Sequence, residues 1–100
     1  MIFDQWRGKV AIVTGGNRGV GEGIAEVLQQ CGMQIVIAAR DKTLNQKKVD
    51  EIQNQGGQAI SHSTDVFDET EVRTMVDKTL DKYSTIDVLV NKAAVDPRDP

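Results

Sequence analysis

The sequence predicts an open α/β sheet of parallel strands, and three observations carry that expectation. Short apolar runs rich in β-branched residues, among them Lys9-Val10-Ala11-Ile12-Val13 and Gln34-Ile35-Val36-Ile37-Ala38, alternate with stretches whose apolar residues recur at helical spacing. The separations between strands are long enough for crossover helices, so the order βαβαβαβ is parallel and right-handed. The third observation is a glycine-rich segment, Thr14-Gly15-Gly16-Asn17-Arg18-Gly19-Val20-Gly21, placed where the first strand hands over to the first helix.

That segment carries chemistry. A glycine-rich turn ahead of a helix points backbone N–H groups at the helix N-terminus, where the partial positive charge favours a phosphate. Gly15 allows the tight turn, Gly19 lets a pyrophosphate approach the backbone, and Gly21 lets helix and strand pack closely. Gly16 and Gly21 have the separation of a P-loop, but Glu22-Gly23 follow where that loop needs Lys-Ser/Thr. A P-loop is therefore excluded. Taken alone, the turn reads as a phosphate cradle, with a purely structural turn as the alternative.

The remaining elements follow in order. Val20, Ile24, Val27, Leu28 and Cys31 form the apolar stripe of the first helix, and Gly32 is its stop. The second strand is nearly all apolar, as suits a strand covered on both faces. Thr43-Leu44-Asn45-Gln46 has the form of a capping box and opens the second helix. That helix has a thin stripe (Leu44, Val49, Ile52), is expected to be peripheral, and ends at Gly56-Gly57. Gln58-Ala59-Ile60-Ser61-His62-Ser63 is a more polar third strand, expected near a sheet edge. Asp68-Glu69-Thr70-Glu71 is a second capping box, after which Val72, Met75, Val76, Leu80 and Tyr83 mark an amphipathic helix. Ile86-Asp87-Val88-Leu89-Val90 is the fourth strand, and Trp6 is expected to pack against the start of the first. Both prolines fall in Asp96-Pro97-Arg98-Asp99-Pro100, which reads as a loop. The fourth strand expects a further neighbour and more helices, so the chain reads as part of a fold.

Composition bounds the function classes. One hundred residues make one small domain, and 39% hydrophobic residues make it globular. A net charge of −3 supplies no basic stripe for a nucleic-acid partner. No apolar run approaches the roughly 20 residues of a membrane span, and the N-terminus lacks the order of a secretory signal. The single cysteine, Cys31, excludes an internal disulfide and suits a reducing cytoplasm. It reads as a small core residue. His62, the only histidine, has no metal-ligand companions and reads as a strand residue.

Three segments, in order, resemble the N-terminal portion of a classical short-chain dehydrogenase/reductase. Gly8-Lys9-Val10-Ala11-Ile12-Val13-Thr14-Gly15-Gly16 is similar to that family's first strand, followed by its Thr-Gly-x-x-x-Gly-x-Gly turn at residues 14–21. Asp65-Val66 resembles its adenine-contacting pair, and Ile86-Asp87-Val88-Leu89-Val90-Asn91-Lys92-Ala93-Ala94 its Asp-x-Leu-Val-Asn-Asn-Ala-Gly segment. The resemblance implies a Rossmann-type parallel sheet that lacks its C-terminal strands and helices, with residues 1–100 as a partial NAD(P)-binding domain. It implies that Gly15, Gly19 and Gly21 form the cofactor turn, with Asn17 lying along the phosphates. Asp65 would accept from the adenine amino group and Val66 would line the adenine pocket. Asn91 and Ala93 would pass beside the adenine-side ribose, with Asn91 also tying the fourth strand to its neighbour. Lys92 and Ala94 depart from the family's Asn and Gly.

Cofactor choice follows from charge. A fold that prefers NAD usually places an acidic side chain near the end of the second strand, accepting from the ribose 2′-hydroxyl. Here Ala39 and Arg40 hold that place, and Arg18 sits in the glycine turn. Two guanidiniums suit a 2′-phosphate, so NADP(H) is the expected cofactor. Catalysis in the family needs a Ser and a Tyr with a Lys four residues on. The one tyrosine, Tyr83, is followed at that distance by Asp87, and the family's motif lies beyond residue 100. Two function classes remain: the NADP(H)-binding part of a carbonyl/alcohol oxidoreductase, or a nucleotide-binding or interaction module without turnover. The resemblance implies a homo-oligomeric enzyme, and an exposed fourth strand makes the chain alone prone to associate.

Overall fold

The computed structural model describes residues 4–15 and 19–91. A single 3-10 turn (Asp4–Trp6) leads into β1 (Val10–Thr14), α1 (Gly19–Gln30), β2 (Gln34–Ala39), α2 (Lys42–Asn54), β3 (Gln58–Ser63), α3 (Glu69–Tyr83) and β4 (Val88–Val90). The four strands form one parallel sheet in the order β3-β2-β1-β4. This is the expected Rossmann-like α/β architecture, with β3 at an edge as its polarity suggested.

The pleat sorts the core into two layers, because successive residues of a strand face opposite ways. Ala11, Val13, Ile35 and Ile37 face one side, where they pack with Ala25 of α1 and Val49 and Ile52 of α2. Val10, Ile12, Val36 and Ala38 face the other, under Met75 of α3. Each fully buried isoleucine contributes about 1.5–3 kcal/mol relative to exposure. Sheet topology and layers together place α1 and α2 on one face and α3 on the other.

Several local expectations are corrected. In α1 the buried residues are Gly21 and Ala25, while Val20 and Val27 of the expected stripe are 65% and 58% exposed. The helix lies close against the sheet, and close approach selects its smallest side chains rather than its largest apolar ones. Cys31 lies past the end of α1 and is half-buried, and Gly32 does stop the helix: its N–H donates to Gln29 and that of Met33 to Leu28. For α2 the cap is Asp41, whose Oδ1 accepts from Leu44 N at 3.0 Å; Thr43 is already inside the helix. Gln46 donates to Asp50 instead of closing a box. Nor is α2 peripheral. Its buried face is completed by two polar residues, Asn45 and Lys48, which a count of apolar positions misses.

In α3, Asp68 caps as expected, accepting from Thr70 N and Glu71 N. Glu71 turns away from the cap and accepts from Asp65 N instead. Leu80 is 41% exposed, and Thr79 takes the buried place, its hydroxyl donating to Met75 O at 2.8 Å. The helix ends at Ser84, a left-handed residue at φ 70° whose N–H donates to Leu80 O. β4 is shorter than expected because Ile86 and Asp87 precede it. Trp6 is 37% exposed, and its turn is tied to β1 by the bond from Lys9 N to Trp6 O.

Candidate functional site

The parallel register brings the carboxyl ends of the strands to one rim. Thr14 pairs with Ala38, Val13 with Val90, and Ala39 with Ser63. From β1 the chain runs outward through β2 to β3, then crosses back to place β4 on the other side of β1. The switch in direction therefore lies between β1 and β4, where open α/β sheets leave a crevice for ligands.

Gly15 leaves β1 at φ 67°, with its N–H donating to Ala38 O at 3.0 Å, so the turn stays anchored to β2. Gly19 opens α1 at φ 60°, and among the described residues a Cβ placed on it would meet no atom within 4 Å. Both backbones are ones that L side chains rarely adopt. The open side of Gly19 lies at the helix N-terminus, where the first amides have no partner within the helix. Glu22, the acidic residue of the first turn, is held 3.4 Å from Lys48 Nζ. Gly21 is buried, as close packing of α1 requires. Asn17, Arg18 and Ala93 lie outside the described residues.

A hollow of about 210 Å³ opens beside the ends of β1 and β4, bounded by Thr14, Val66, Val72, Met75, Leu89 and Asn91. Two expected site residues, Val66 and Asn91, thus share one mostly apolar wall. The Thr14 hydroxyl lies 3.3 Å from Val90 O and 3.4 Å from Asn91 Oδ1, and donates to them. Asn91 is in this way tied to β1. Asp65 is held in an Asx turn: its Oδ1 accepts from Phe67 N and its carbonyl from Asp68 N, both at 3.0 Å. Its own N–H donates to Glu71 Oε1, so the loop after β3 is braced against the start of α3. Arg40 is exposed just past the end of β2.

The titratable groups outside this rim serve the fold. His62 lies in β3 with Nε2 buried and without a partner among the described residues. Burial, helped by the charge of Lys78, holds its pKa below the ordinary histidine value. Burial pushes the Tyr83 phenol up, and the residue packs under α3 against the sheet. Glu22, Glu26 and Glu51 converge within 4.8 Å, but the Lys48 ammonium stands among them at 3.4, 2.6 and 3.4 Å. These carboxylates are the counter-charge of a buried lysine. Sequence reasoning missed Asn45, Lys48 and Asp87. Only Asp87 left a signal, as an acid inside an otherwise apolar strand.

Among the described residues the rim thus holds the N-terminus of α1, a mostly apolar hollow and, past β2, an exposed guanidinium. Residues 9–100 match the family described as short chain dehydrogenase. The chain is 43% identical over 88 residues to an "Uncharacterized oxidoreductase" of Thermotoga maritima, covering 88% of this chain and 34% of the relative. A metagenomic short-chain oxidoreductase solved in complex with NADP superposes with a TM-score of 0.84 at 37% identity, over 89% of this chain and 40% of that one. A short chain dehydrogenase/reductase from Burkholderia phymatum, solved with NAD, gives 0.81 at 31% identity, over 84% of this chain and 30% of that one. The chain thus spans about a third of the length of the relatives it matches. On the strength of the matched residues and of the shared fold, the chain belongs to the short-chain dehydrogenase family.

Proposed function

We propose that residues 1–100 form the NADP(H)-binding part of a short-chain dehydrogenase/reductase that interconverts a carbonyl and an alcohol by hydride transfer. The observation that carries the choice of NADP(H) is Arg40, an exposed guanidinium just past β2 where an acidic residue would favour NAD. Arg18 in the glycine turn adds a second cation. The amides around Gly15, Gly19 and Gly21 receive the pyrophosphate, with Asn17 alongside. Asp65 and Val66 hold the adenine, and Asn91 and Ala93 flank its ribose. The open side of Gly19 and the hollow beside Val66 and Asn91 fit such a ligand, leaving space where a side chain would otherwise stand. When bound, a nicotinamide supplies or accepts the hydride. This chain's own residues bind, orient and discriminate. Relatives solved with NADP and with NAD both exist, so charge at the 2′ position decides between them.

The enzyme is assigned to the cytoplasm and to a homo-oligomer. Among the described residues no helix is long and apolar enough to cross a membrane. Titrating NADPH and NADH separately tests the cofactor assignment. NADPH is expected to bind more tightly, and Arg40→Asp to cut that preference by about 10- to 100-fold, the worth of a charge-assisted hydrogen bond. Equal or inverted affinities in the unsubstituted protein would overturn the reading.

A further inference from the structure

Three hydrogen bonds from outside the β2–α2 turn converge on two consecutive carbonyls. The Ala39 carbonyl accepts from Asn45 Nδ2 at 2.8 Å and from Thr64 N at 2.9 Å. The next carbonyl, of Arg40, accepts from Ser63 Oγ at 3.0 Å. Asn45 is fully buried, which is costly for an amide unless its hydrogen bonds are made. Ser63 is exposed at the end of the edge strand β3. Only Arg40 and Asp41 separate β2 from α2, and Asp41 is fixed as the helix cap. Arg40 is thereby an exposed residue on a backbone held at both ends.

We propose that Asn45 and Ser63 are positioning residues for cofactor discrimination, setting the backbone from which Arg40 reaches the 2′ group of the ribose. The inference rests on the NADP(H) reading. Its physical basis is that a guanidinium pairs with a phosphate through a planar fork, so a shift of its anchor by a fraction of an ångström costs the paired geometry. A hydroxyl or an amide that merely stabilised the fold would affect both cofactors alike. One that fixes Arg40 affects only the cofactor carrying the phosphate.

The test measures the dissociation constants of NADPH and NADH for the protein with Ser63→Ala, Ser63→Thr, Asn45→Ala, Arg40→Ala, and Ser63→Ala combined with Arg40→Ala. Ser63→Ala and Asn45→Ala are expected to lower the NADPH-to-NADH preference by about three- to tenfold, the lower part of the range of coupling between contacting residues. Ser63→Thr, which keeps the hydroxyl, is expected to restore it. In the Arg40→Ala background, Ser63→Ala is expected to leave the preference unchanged, because nothing remains for it to position. Should Asn45→Ala fail to fold, Ser63→Ala at its exposed site carries the test. If Arg40→Ala lowers the preference and Ser63→Ala does not, the positioning role falls while the cofactor reading stands. If Arg40→Ala itself leaves the preference unchanged, the cofactor reading falls and the positioning role with it.

Discussion

The Asp87 carboxylate accepts from the buried Val10 N–H at 2.9 Å, while its own N–H donates to Val10 O at the same distance. One residue thus closes the first rung between β1 and β4 with a side chain and a backbone group together. Asp87→Ala leaves the Val10 donor unpaired, and a buried unpaired donor costs about 1–3 kcal/mol. Denaturant unfolding is expected to show a loss of that size. His62 links stability to pH. It shares a cavity of about 350 Å³ with Lys42, Lys78 and Glu71, and its pKa is held below 6.5, first by burial and then by Lys78. The unfolded chain therefore takes up the proton first as pH falls. The contribution of neutral His62 is full above the ordinary value and is lost as pH falls through the folded one. Unfolding measured from pH 8 to pH 5 is expected to show this decline, and His62→Gln to flatten it.

Among the elements, α2 departs most from its sequence pattern, and Lys48 is the reason. Burial alone would lower the pKa of its ammonium, but the hydrogen bonds to Glu26 and Glu51 and the charges of Glu26 and Glu22 outweigh it and raise the value. Two of those partners, Glu22 and Glu26, belong to α1, so the cluster clamps α1 to α2 on one face of the sheet. A raised lysine pKa stabilises fully below the unfolded value near 10.5, and that stability is lost as pH rises through the folded value. Lys48→Met is expected to cost about 1–2 kcal/mol near neutral pH, since the carboxylates are partly exposed and partly screened. Chemical denaturation of the unsubstituted protein is expected to show that alkaline decline above pH 10, and Lys48→Met to abolish it. A thin apolar stripe was legible in the sequence as weakness in α2. A lysine that buries its stem while three carboxylates hold its charge leaves no apolar signal to read.

β3 and β4 both stand at edges of the sheet, and β4 is the more apolar of the two. Among the described residues no strand pairs with its far side, and Leu89 is 60% exposed. Exposed apolar edges invite pairing with another chain. The 100-residue chain is expected to self-associate at micromolar concentration in sedimentation velocity, and Leu89→Lys to shift it toward monomer. A monomer that unfolds cooperatively well above body temperature would contradict this. The parallel βαβ order and the edge position of β3 were legible, from the alternation of period and the polarity of that strand; the place of β4 beside β1 was not, because right-handed crossovers allow it on either flank. The buried face of α1 was not, since Val20 and Val27 match helical spacing as well as Gly21 and Ala25 do.

Local spacing and residue type already carry the parallel α/β order, the glycine-rich segment at 14–21 and the cation beyond β2. Which side chains close that frame emerges only with the fold: Asp87 on Val10, Lys48 among three glutamates, Asn45 on the carbonyl of Ala39 and Ser63 on that of Arg40. Most of those are polar contacts between residues far apart in the chain. A single polar residue carries no periodicity that announces its partner, so its role exists only once the fold has brought the partner within hydrogen-bond reach.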